Sequence, residues 1–308
     1  MPLRFTLRQL EYFVAVGEAG TITLAADRVN VSSPSISAAI AQLEQEFGLP
    51  LFVRQHAQGL SLTLAGRQMM VQAKTVLKEA EQLTDLAGDI SGSVRGPLAI
   101  GCLVTFAQVL LPALRRGFED EFSDVRTTQF ELNQSEIFSY LRRADIDVAL
   151  TYDLELPSDL KFVPLLQLPP FVIVNETHPL ADLPEVSVEA LGNHPMVLLD
   201  LPFSSDYFLS FFANSEVKPN IAERTRDMAV MRGLVANGFG YSIANVRPRN
   251  DQSPDGKQLK FIPLVGGTRS MRMGLLMSND ADRTNVVRAF VEHCKTRNAQ
   301  DGLPGFGG

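Results

Sequence analysis

Apolar positions near the start of the chain recur at the spacing of short amphipathic helices. A first helix is expected to end at the glycines Gly17 and Gly20. A second helix is predicted over residues 21–29, and Asn30 with Val31 would form the turn that follows it. The apolar positions that define the first helix are Leu7, Leu10, Phe13 and Val14.

A third helix is predicted directly after this turn. Ser32 or Ser33 would cap its first turn, where Pro34 is well tolerated, and Gly48 would end it. Its apolar positions recur at intervals of 4, 3 and 4 residues, which makes one buried stripe: Ile36, Ile40, Leu43 and Phe47.

The face opposite this stripe is unusual for a solvated helix because it is made of small and apolar residues. Helical geometry places Pro34, Ala38, Ala41 and Gln45 on it, with Ser37 at its flank. Such a face suits a helix that lies tightly in the major groove of DNA, where hydroxyl groups and methyl groups contact bases and phosphates. An ordinary helical hairpin in a small core remains the competing interpretation.

A β-hairpin is predicted after the third helix. Residues 52–54 and 59–66 would form its two strands around a turn, and Thr63 would cap the helix that follows. Arg54 and His56 would then face the phosphate backbone of bound DNA.

A long helix is predicted from residue 65 to residue 91, with Gly88 as the one helix-breaking residue beyond its first turn. Its apolar positions recur at alternating intervals of 4 and 3 residues, the heptad pattern of helices that pair. A Gly- and Ser-containing hinge follows at residues 91–97, which favours a linker that joins two chains over a helix that docks on its own domain. The predicted pairing residues are Met69, Ala73, Val76, Ala80, Leu83, Ala87 and Ile90.

Beyond residue 95 the chain alternates strands with helices, which indicates a mostly parallel α/β sheet. Strands are predicted at 97–103, 127–132, 147–152 and 162–168, and a helix capped by Thr105 would run to about Phe118. Strands over 171–174, 196–199, 220–223, 241–243 and 261–264 would build a second lobe. A strand at 271–277 and a helix at 284–297 would return to the first lobe, so two crossovers join the lobes.

Ligands of open α/β sheets bind beyond the carboxyl ends of the strands, which places a cleft between the two lobes. Hydroxyls and backbone N–H groups at Thr105 and Ser204 favour an anionic group, and Asp153, Asp206 and Asp227 could pair with an amine. Plain capping and surface solvation are the competing explanations. The predicted cleft residues are Cys102, Val104, Thr105, Gln134, Ser135, Thr151, Tyr152, Asp153, Phe203, Ser204, Ser205, Arg226, Asp227 and Met228, with Asn133 and Pro202 beside them.

The overall charge does not favour a nucleic-acid partner. The 308 residues carry a net charge of −7, and the first 63 residues hold four arginines, no lysine and five acidic residues. No apolar run has the length of a signal peptide or a membrane span, so we expect a cytoplasmic protein without a membrane partner. Cys102 and Cys294 lie far apart and predict no disulfide framework.

Residues 5–66 resemble the winged helix-turn-helix of LysR-type transcriptional regulators. The resemblance is carried by residues 7–14, 24–26, 31–37, 42–44, 48–54 and 62–66, whose order and spacing match that family, and it extends more weakly along the whole chain. It implies a type-2 periplasmic-binding fold for the effector domain. It places Ser33, Pro34, Ser37 and Ala38 where the family reads bases, and Arg54 where the family contacts the DNA backbone; Arg8, Ser32, Ser35 and His56 complete the predicted DNA surface.

This chain departs from the family at two of these positions. Position 33 is often Gln and position 38 is often Arg or Lys in the family, whereas this chain has Ser and Ala. Fewer long polar side chains reach the bases, so we expect greater dependence on DNA shape and on contacts from helix ends to phosphate.

The predicted organisation is therefore a winged helix-turn-helix domain at 1–64, a linker helix at 65–92 and a two-lobed effector domain at 93–308. Lobe I would take about 95–167 and 268–300, and lobe II about 168–267. The expected partners are promoter DNA, a small polar effector of carboxylate or amino-acid type, and a second chain in a homodimer or homotetramer, with RNA polymerase as a further candidate.

No enzyme, cofactor or metal site is expected. The four histidines lack metal-ligand spacing, and the glycines of 237–240 suit a turn better than a nucleotide loop. The competing hypothesis is a solute-binding or redox-sensing protein, the latter through Cys102, with an accessory helical N-terminus.

Overall fold

The computed structural model describes residues 4–55, 59–91, 94–213, 215–281, 284–300 and 302–303. Within helices and strands, the side chains of residues 54, 55, 81, 82, 84–91 and 300 lie outside this description. The chain divides into two compact units, residues 1–93 and residues 94–308. None of the helices in the described ranges is long and apolar enough to cross a membrane.

The first unit is three short helices, a two-stranded hairpin and one long helix. The hairpin strands pair antiparallel, with Phe52 opposite Leu62. The helices enclose a core of their own, in which Phe13, Ile36 and Leu43 are fully buried. Its elements are α1 (Leu7–Ala19), α2 (Ile22–Val29), α3 (Ser33–Phe47), β1 (Phe52–Gln55), β2 (Gly59–Leu62) and α4 (Leu64–Ser91).

Local capping explains where the first three helices begin and end. The side chains of Thr6, Thr21 and Ser32 accept hydrogen bonds from backbone N–H groups in the first turns of α1, α2 and α3. The same helices end at Gly20, Asn30 and Gly48, each in the left-handed conformation that glycine and asparagine tolerate.

Two details of the first helix differ from the prediction. Gly17 lies inside α1 and does not end it, and Met70 of α4 packs so closely against this glycine that a Cβ there would clash. Leu7 is 45% exposed, whereas Val16, which shares a helix face with Leu10 and Phe13, is fully buried. Of the other predicted core positions of α1, Leu10 and Phe13 are buried, and Val14 is partly buried against the same core.

Lobe I of the second unit is built on a five-stranded sheet. Its strands are β3 (Gly96–Leu103), β4 (Val125–Leu132), β5 (Val148–Tyr152), β6 (Leu160–Leu168) and the returning β13 (Met271–Ser278), in the order β4-β3-β5-β13-β6. The helices of this lobe are α5 (Val104–Ala107), α6 (Leu111–Glu121), α7 (Gln134–Arg142) and α10 (Asn285–Gln300).

The prediction of a mostly parallel sheet is only half right for lobe I. Strand β3 pairs parallel with both β4 and β5, but β13 pairs antiparallel with both β5 and β6. The difference arises because β13 re-enters the lobe from the opposite direction after the chain has passed through lobe II. Local sequence pattern carries no information about this direction.

The predicted single helix from Thr105 to Phe118 is two helices. Helix α5 ends at Ala107, and α6 begins at Leu111 with Pro112 in its first turn. Proline lacks a backbone N–H group and disfavours helical geometry in the residue before it, so a helix is more readily started than continued there.

Lobe II contains two sheets joined by a bridge between Met196 and Tyr241. A four-stranded sheet has the order β11-β7-β12-β8, and β9 pairs parallel with β10 beside it. The elements of this lobe are β7 (Phe171–Asn175), β8 (Val186–Ser187), β9 (Pro195–Leu199), α8 (Ser204–Ser210), β10 (Asn220–Thr225), α9 (Met228–Ala236), β11 (Ser242–Ala244) and β12 (Leu259–Val265).

The chain passes between the lobes twice, after β6 and again before β13. Two buried side chains of lobe II hold these crossovers. The Asn245 amide donates to the carbonyl of Leu168 (2.7 Å) in the first crossover, and the Tyr207 hydroxyl donates to the carbonyl of Arg269 in the second. The same Asn245 amide lies 3.3 Å from the Tyr207 hydroxyl, so the two crossovers are linked through one hydrogen-bonded pair.

Candidate nucleic-acid interface and effector cleft

Helix α3 presents a small, exposed face opposite its buried stripe. Ile36, Ile40 and Leu43 are buried in the core, whereas Phe47 is partly buried against it. Ser33 is half-buried, and the other predicted DNA-contacting residues of this segment are exposed: Ser32, Pro34, Ser35, Ser37 and Ala38.

The hydroxyl groups on this face already make hydrogen bonds within the chain. The Ser37 hydroxyl donates to the carbonyl of Ser33 (3.0 Å), and the hydroxyls of Ser32 and Ser35 lie 2.8 Å apart. Because the Ser37 proton is engaged, this hydroxyl presents its lone pairs to the surface. The serines are therefore held in defined positions by the helix backbone.

Glu44 joins the recognition helix to the hairpin, a role the sequence analysis did not assign. One oxygen of its carboxylate accepts hydrogen bonds from the backbone N–H groups of Leu51 (2.7 Å) and Phe52 (3.2 Å). The start of β1 is thereby fixed to the last turn of α3. An acidic residue followed within eight residues by a strand was the available signal, but this pattern is common and is not specific.

The remaining predicted DNA contacts are described to different extents. Arg8 is exposed on the first turn of α1. Arg54 lies in β1, with its side chain outside the described part of the chain, and His56 lies outside the described residues. Thr63 caps the next helix as predicted, since its hydroxyl accepts from the backbone N–H of Gly66 (2.8 Å).

The predicted pairing seam of α4 is divided between two environments. Ala73 is only 4% exposed and packs in the core of its own chain, where Met69 also lies against that core. Ala73 is therefore unavailable to a partner, because α1 already covers this turn of α4. Val76 and Leu83 are 42% and 71% exposed, Ala80 is half-buried, and the side chains of Ala87 and Ile90 lie outside the described part of the chain.

A cleft of about 420 Å³ lies between the two lobes of the second unit. It brings together five of the predicted cleft residues, namely Val104, Thr105, Arg226, Asp227 and Met228. Five further residues line it that the sequence analysis did not identify: Ala107, Gln108, Pro112, Gln129 and Glu131. Gln129 and Glu131 are two residues apart near the carboxyl end of β4, so their side chains lie on the same face of the strand. This spacing was the sequence signal that could have identified them.

The charged groups of the cleft differ in how many hydrogen bonds or ion pairs they already form within the chain. The Asp227 carboxylate caps α9, accepting from the backbone N–H groups of Ala229 (2.7 Å) and Val230 (3.1 Å). Glu131 accepts one hydrogen bond from the Gln129 amide (2.7 Å). Arg226 is exposed, and no described residue forms an ion pair with it, so its guanidinium is open to an anion.

Several predicted cleft residues belong to the interior instead. Gln134 is fully buried, and its side-chain amide nitrogen donates to the carbonyl of Leu154. Its side-chain oxygen accepts from the Thr151 hydroxyl (3.4 Å). Tyr152 is also buried, and burial raises the pKa of its hydroxyl above the ordinary value. Asp153 accepts from the backbone N–H and from the guanidinium of Arg272 (2.8 Å each), which leaves it unavailable to an amine.

The residues at the start of α8 do not form the expected anion site. The Ser204 N–H donates to the carbonyl of Pro202 (2.8 Å), and the Ser205 hydroxyl donates to that of Leu201 (3.1 Å). Phe203 packs against Phe138 of lobe I, with ring centroids 5.9 Å apart. Asp206 is exposed in the first turn of this helix.

Two other predicted polar groups do not act as the sequence predicted, although Thr105 does line the cleft. Thr105 is the second residue of α5 and does not cap it. Ser135 is exposed on α7, where its hydroxyl donates to Asn133 (2.8 Å).

Comparison with known proteins agrees with this two-part organisation. A family model described as the bacterial regulatory helix-turn-helix protein of the lysR family matches residues 7–67. The model of the LysR substrate binding domain matches residues 91–299, which is more than half of the chain. The chain belongs to the LysR family of bacterial regulators. It is a DNA-binding transcriptional regulator with a helix-turn-helix domain and an effector-binding domain, which confirms the resemblance noted from the sequence.

Relatives of this LysR-type chain are similar along most of their length. The regulator CysB of Haemophilus influenzae is 30% identical over 240 residues, which are 77% of this chain and 74% of that protein. The regulator YnfL of Escherichia coli is 26% identical over 296 residues, covering 94% of this chain and 98% of its own. Both are described as HTH-type transcriptional regulators, and no catalytic family is indicated among these matches.

Solved structures give the same fold. A putative LysR family regulator from Pseudomonas aeruginosa is 31% identical, with a TM-score of 0.65 over 96% of this chain and 99% of that one. The LysR family regulator CbnR in complex with its target DNA is 22% identical, with a TM-score of 0.65 over 95% of this chain and 99% of that one. The second likeness concerns the fold alone.

The two cysteines of this LysR-type regulator are both free and buried. Burial raises the pKa of the Cys102 thiol well above its ordinary value, and the negative charge of Glu131 raises it further. Burial likewise raises the pKa of Cys294. Thiolate is the reactive form of cysteine, so both residues are in environments that suppress oxidation.

We therefore expect neither thiol of the native protein to react with a thiol-specific reagent within minutes at pH 8, whereas both should react in denaturant. The measurement is a colorimetric titration of free thiols, with and without guanidinium. Prior exposure to hydrogen peroxide should leave the denatured count at two. Rapid native labelling of Cys102 would instead favour the redox-sensing hypothesis.

Proposed function

We propose that this protein is a homodimeric or homotetrameric regulator that reads promoter DNA with α3 and responds to a small polar effector in the cleft between its lobes. Residues 1–64 would contact DNA, residues 65–92 would join two chains, and residues 93–308 would bind the effector. Effector binding would change the closure of the lobes and so the spacing of the DNA-binding domains. RNA polymerase is a further candidate partner, and the cytoplasm is the expected location.

The observation that carries the DNA-reading part of this proposal is the exposed face of α3. Pro34, Ser37 and Ala38 form a surface without long side chains, so the helix backbone can approach the floor of a groove. Nearby basic residues are few, which limits the contribution of phosphate contacts to affinity. Specific binding therefore depends on close fit and on the use of two or more recognition helices.

Replacing Pro34 and Ser37 together by alanine is expected to lower the ratio of specific to non-specific DNA affinity about tenfold or more, because contacts at the base edges are lost. The measurement is a gel-shift titration on the protein's own promoter region and on random DNA, repeated over a range of salt concentrations.

The control for this experiment is Asn220→Ala, which changes an exposed residue of β10 in the second unit and should have no effect. An unchanged specificity ratio in the double variant would show that α3 is not the recognition helix. Absence of any preference for promoter DNA by the unaltered protein would contradict the proposed function itself.

The linker part of the proposal is supported by the exposed apolar residues of α4. Val76 and Leu83 are seven residues apart, so they occupy equivalent positions in successive heptads and face the same way. Since α1 covers the α4 turn around Ala73, the partner helix would contact the part of α4 that begins near Val76. A second copy of α4 is the occupant that this heptad spacing fits.

Leu83→Glu is expected to convert the dimer into a monomer of 33.8 kDa, because a carboxylate would have to be buried in an apolar seam at a cost of several kcal/mol. Light scattering coupled to size-exclusion chromatography measures this mass. Leu183→Glu, at another exposed leucine outside α4, should leave the mass unchanged. A dimer that survives Leu83→Glu would remove the linker helix from the interface.

The effector part of the proposal is supported by Arg226 and Glu131 in one cleft. Arg226 forms no ion pair with a described residue, and Glu131 lies on the facing lobe. Together they suit a molecule with a carboxylate at one end and an amine or hydroxyl at the other. Gln108 adds an amide group that can donate or accept hydrogen bonds, whereas the Gln129 amide already donates to Glu131 and accepts from Arg115 (3.2 Å). An amino-acid-like metabolite satisfies all of these groups.

Thermal unfolding of the full-length protein with a panel of small carboxylates and amino acids is expected to find a ligand that raises the melting temperature. Arg226→Ala should weaken that ligand about tenfold or more, since hydrogen bonds to a charged group contribute about 1.5–3 kcal/mol. Arg224→Ala is the matched control, because that arginine pairs with Asp200 (3.2 Å) outside the cleft. Equal binding by wild type and Arg226→Ala would contradict the proposed site.

A further inference from the structure

A chain of hydrogen bonds crosses from the start of α1 to the exposed side of α3. The Gln9 side-chain oxygen accepts from the backbone N–H of Thr6 (2.8 Å) and from the Thr6 hydroxyl (3.2 Å). The Gln9 amide nitrogen then donates to the side-chain oxygen of Gln42 (2.7 Å). Thr6 and Gln9 also form the capping box of α1, so the network is part of a helix start.

The backbone N–H of Thr6 determines the orientation of both side-chain amide groups in this network, those of Gln9 and Gln42. A backbone N–H can only donate, so the atom of Gln9 that faces Thr6 must be the oxygen. The other end of the Gln9 amide is then the NH₂ group, and the atom of Gln42 that receives it must again be an oxygen. The polarity of Gln42 is thus set by a backbone group of α1, and rotating either amide by 180° would place two donors or two acceptors face to face.

The Gln42 NH₂ group is left facing outward. Gln42 is exposed, and no described residue accepts a hydrogen bond from its nitrogen. Gln42 follows Ala38 by one helical turn, so it lies at the edge of the same outward face, about 40° around the helix. Ser37 lies on the other edge, with Pro34 and Ala38 between them. An oriented pair of donors therefore stands beside the surface that would enter the groove.

We propose that Gln42 reads a base edge in the major groove as a hydrogen-bond donor, and that Gln9 is the positioning residue that sets this polarity. The inference rests on the proposed function of α3. A glutamine with both ends free pairs with adenine by donating and accepting together. With its oxygen held by Gln9, Gln42 instead favours a base whose edge offers acceptors without a competing donor, which are N7 and O6 of guanine or O4 of thymine. Adenine offers one acceptor, N7, beside its N6 donor, and cytosine offers only the N4 donor and is disfavoured.

The polarity can be reversed without changing Gln42. In Gln9→Glu, one oxygen of the new carboxylate still accepts from Thr6 N–H, so the capping of α1 is kept. The other oxygen cannot donate to Gln42, so the Gln42 amide must turn to present its NH₂ group inward and its oxygen outward. Gln42→Glu reaches the same outward polarity directly and leaves the α1 cap untouched, which guards against a folding defect at position 9.

The test is selection of binding sites from random duplex DNA by the full-length protein and by four variants. Wild type should enrich guanine or thymine at one position of each half-site, and Gln42→Ala should lose roughly tenfold of the discrimination there. Gln9→Glu and Gln42→Glu should shift the preference at that same position toward cytosine or adenine. Gln45→Glu is the control for charge, because it adds a carboxylate to the same exposed face and should lower affinity without that shift.

The outcomes separate this inference from the function on which it rests. If wild type enriches no motif, the proposed DNA-reading function fails. If wild type enriches a motif that Gln42→Ala, Gln42→Glu and Gln9→Glu leave unchanged, α3 still reads DNA but the inference is overturned. A uniform loss of affinity in Gln42→Ala with the same motif would place its donors on phosphate, which also overturns the inference. Circular dichroism of each variant establishes that it is folded.

Discussion

The packing of α3 against α1 and α2 is the constraint on which the DNA-binding unit depends. A helix offers one stripe to a core, and here Ile36, Ile40 and Leu43 occupy that stripe. Once they are buried, the identity of the outward residues is decided by helical geometry alone. The hairpin is then fixed to α3 through Glu44, and Gln42 is held from α1 by Gln9.

This constraint also explains why a domain with a net negative charge can bind DNA. Long-range attraction depends on the sum of charges, but base recognition depends on what the outward face presents at contact distance. In the proposed recognition surface, the small residues Pro34, Ser37 and Ala38 would allow close approach to DNA, and polar atoms at the edges of the face are held by intrachain hydrogen bonds. Groups that are already ordered lose less conformational entropy on binding than free lysine or arginine side chains would.

The first unit could be predicted from its sequence because its signals are local. Capping residues, left-handed glycines and one apolar stripe fix α2 and α3 within a residue or two, and none of these signals needs knowledge of distant contacts. The exceptions arose where another element intervened. Gly17 lies inside α1, where Met70 of α4 packs on it, and Ala73 of α4 lies in the core of the first unit and not in a pairing seam. Both facts depend on α1 packing against α4, which the periodicity of either helix does not reveal.

The cleft was harder to predict because the position of a strand's carboxyl end does not show which nearby side chains are exposed to a ligand and which are buried in the core. The interior strand β5 supplied Thr151 and Tyr152 as candidates, but burial and hydrogen bonding engage both in the core. The contribution of β4 was missed because its alternation, with Gln129 and Glu131 on one side, resembles that of any edge strand.

Some polar side chains of the second unit form hydrogen bonds or ion pairs that stabilise the fold, whereas others make few such contacts. Asp153 holds the returning strand through Arg272, Asp227 caps α9, and Gln134 satisfies a buried carbonyl. Removing any of them would leave a donor without its acceptor or a carbonyl without its donor, so their cost would appear in stability. No described residue forms an ion pair with Arg226, and Glu131 accepts one hydrogen bond, from Gln129 on its own strand. In the proposed site, Arg226 neither caps a helix nor forms an ion pair with a described residue, so its charge would remain available to a ligand.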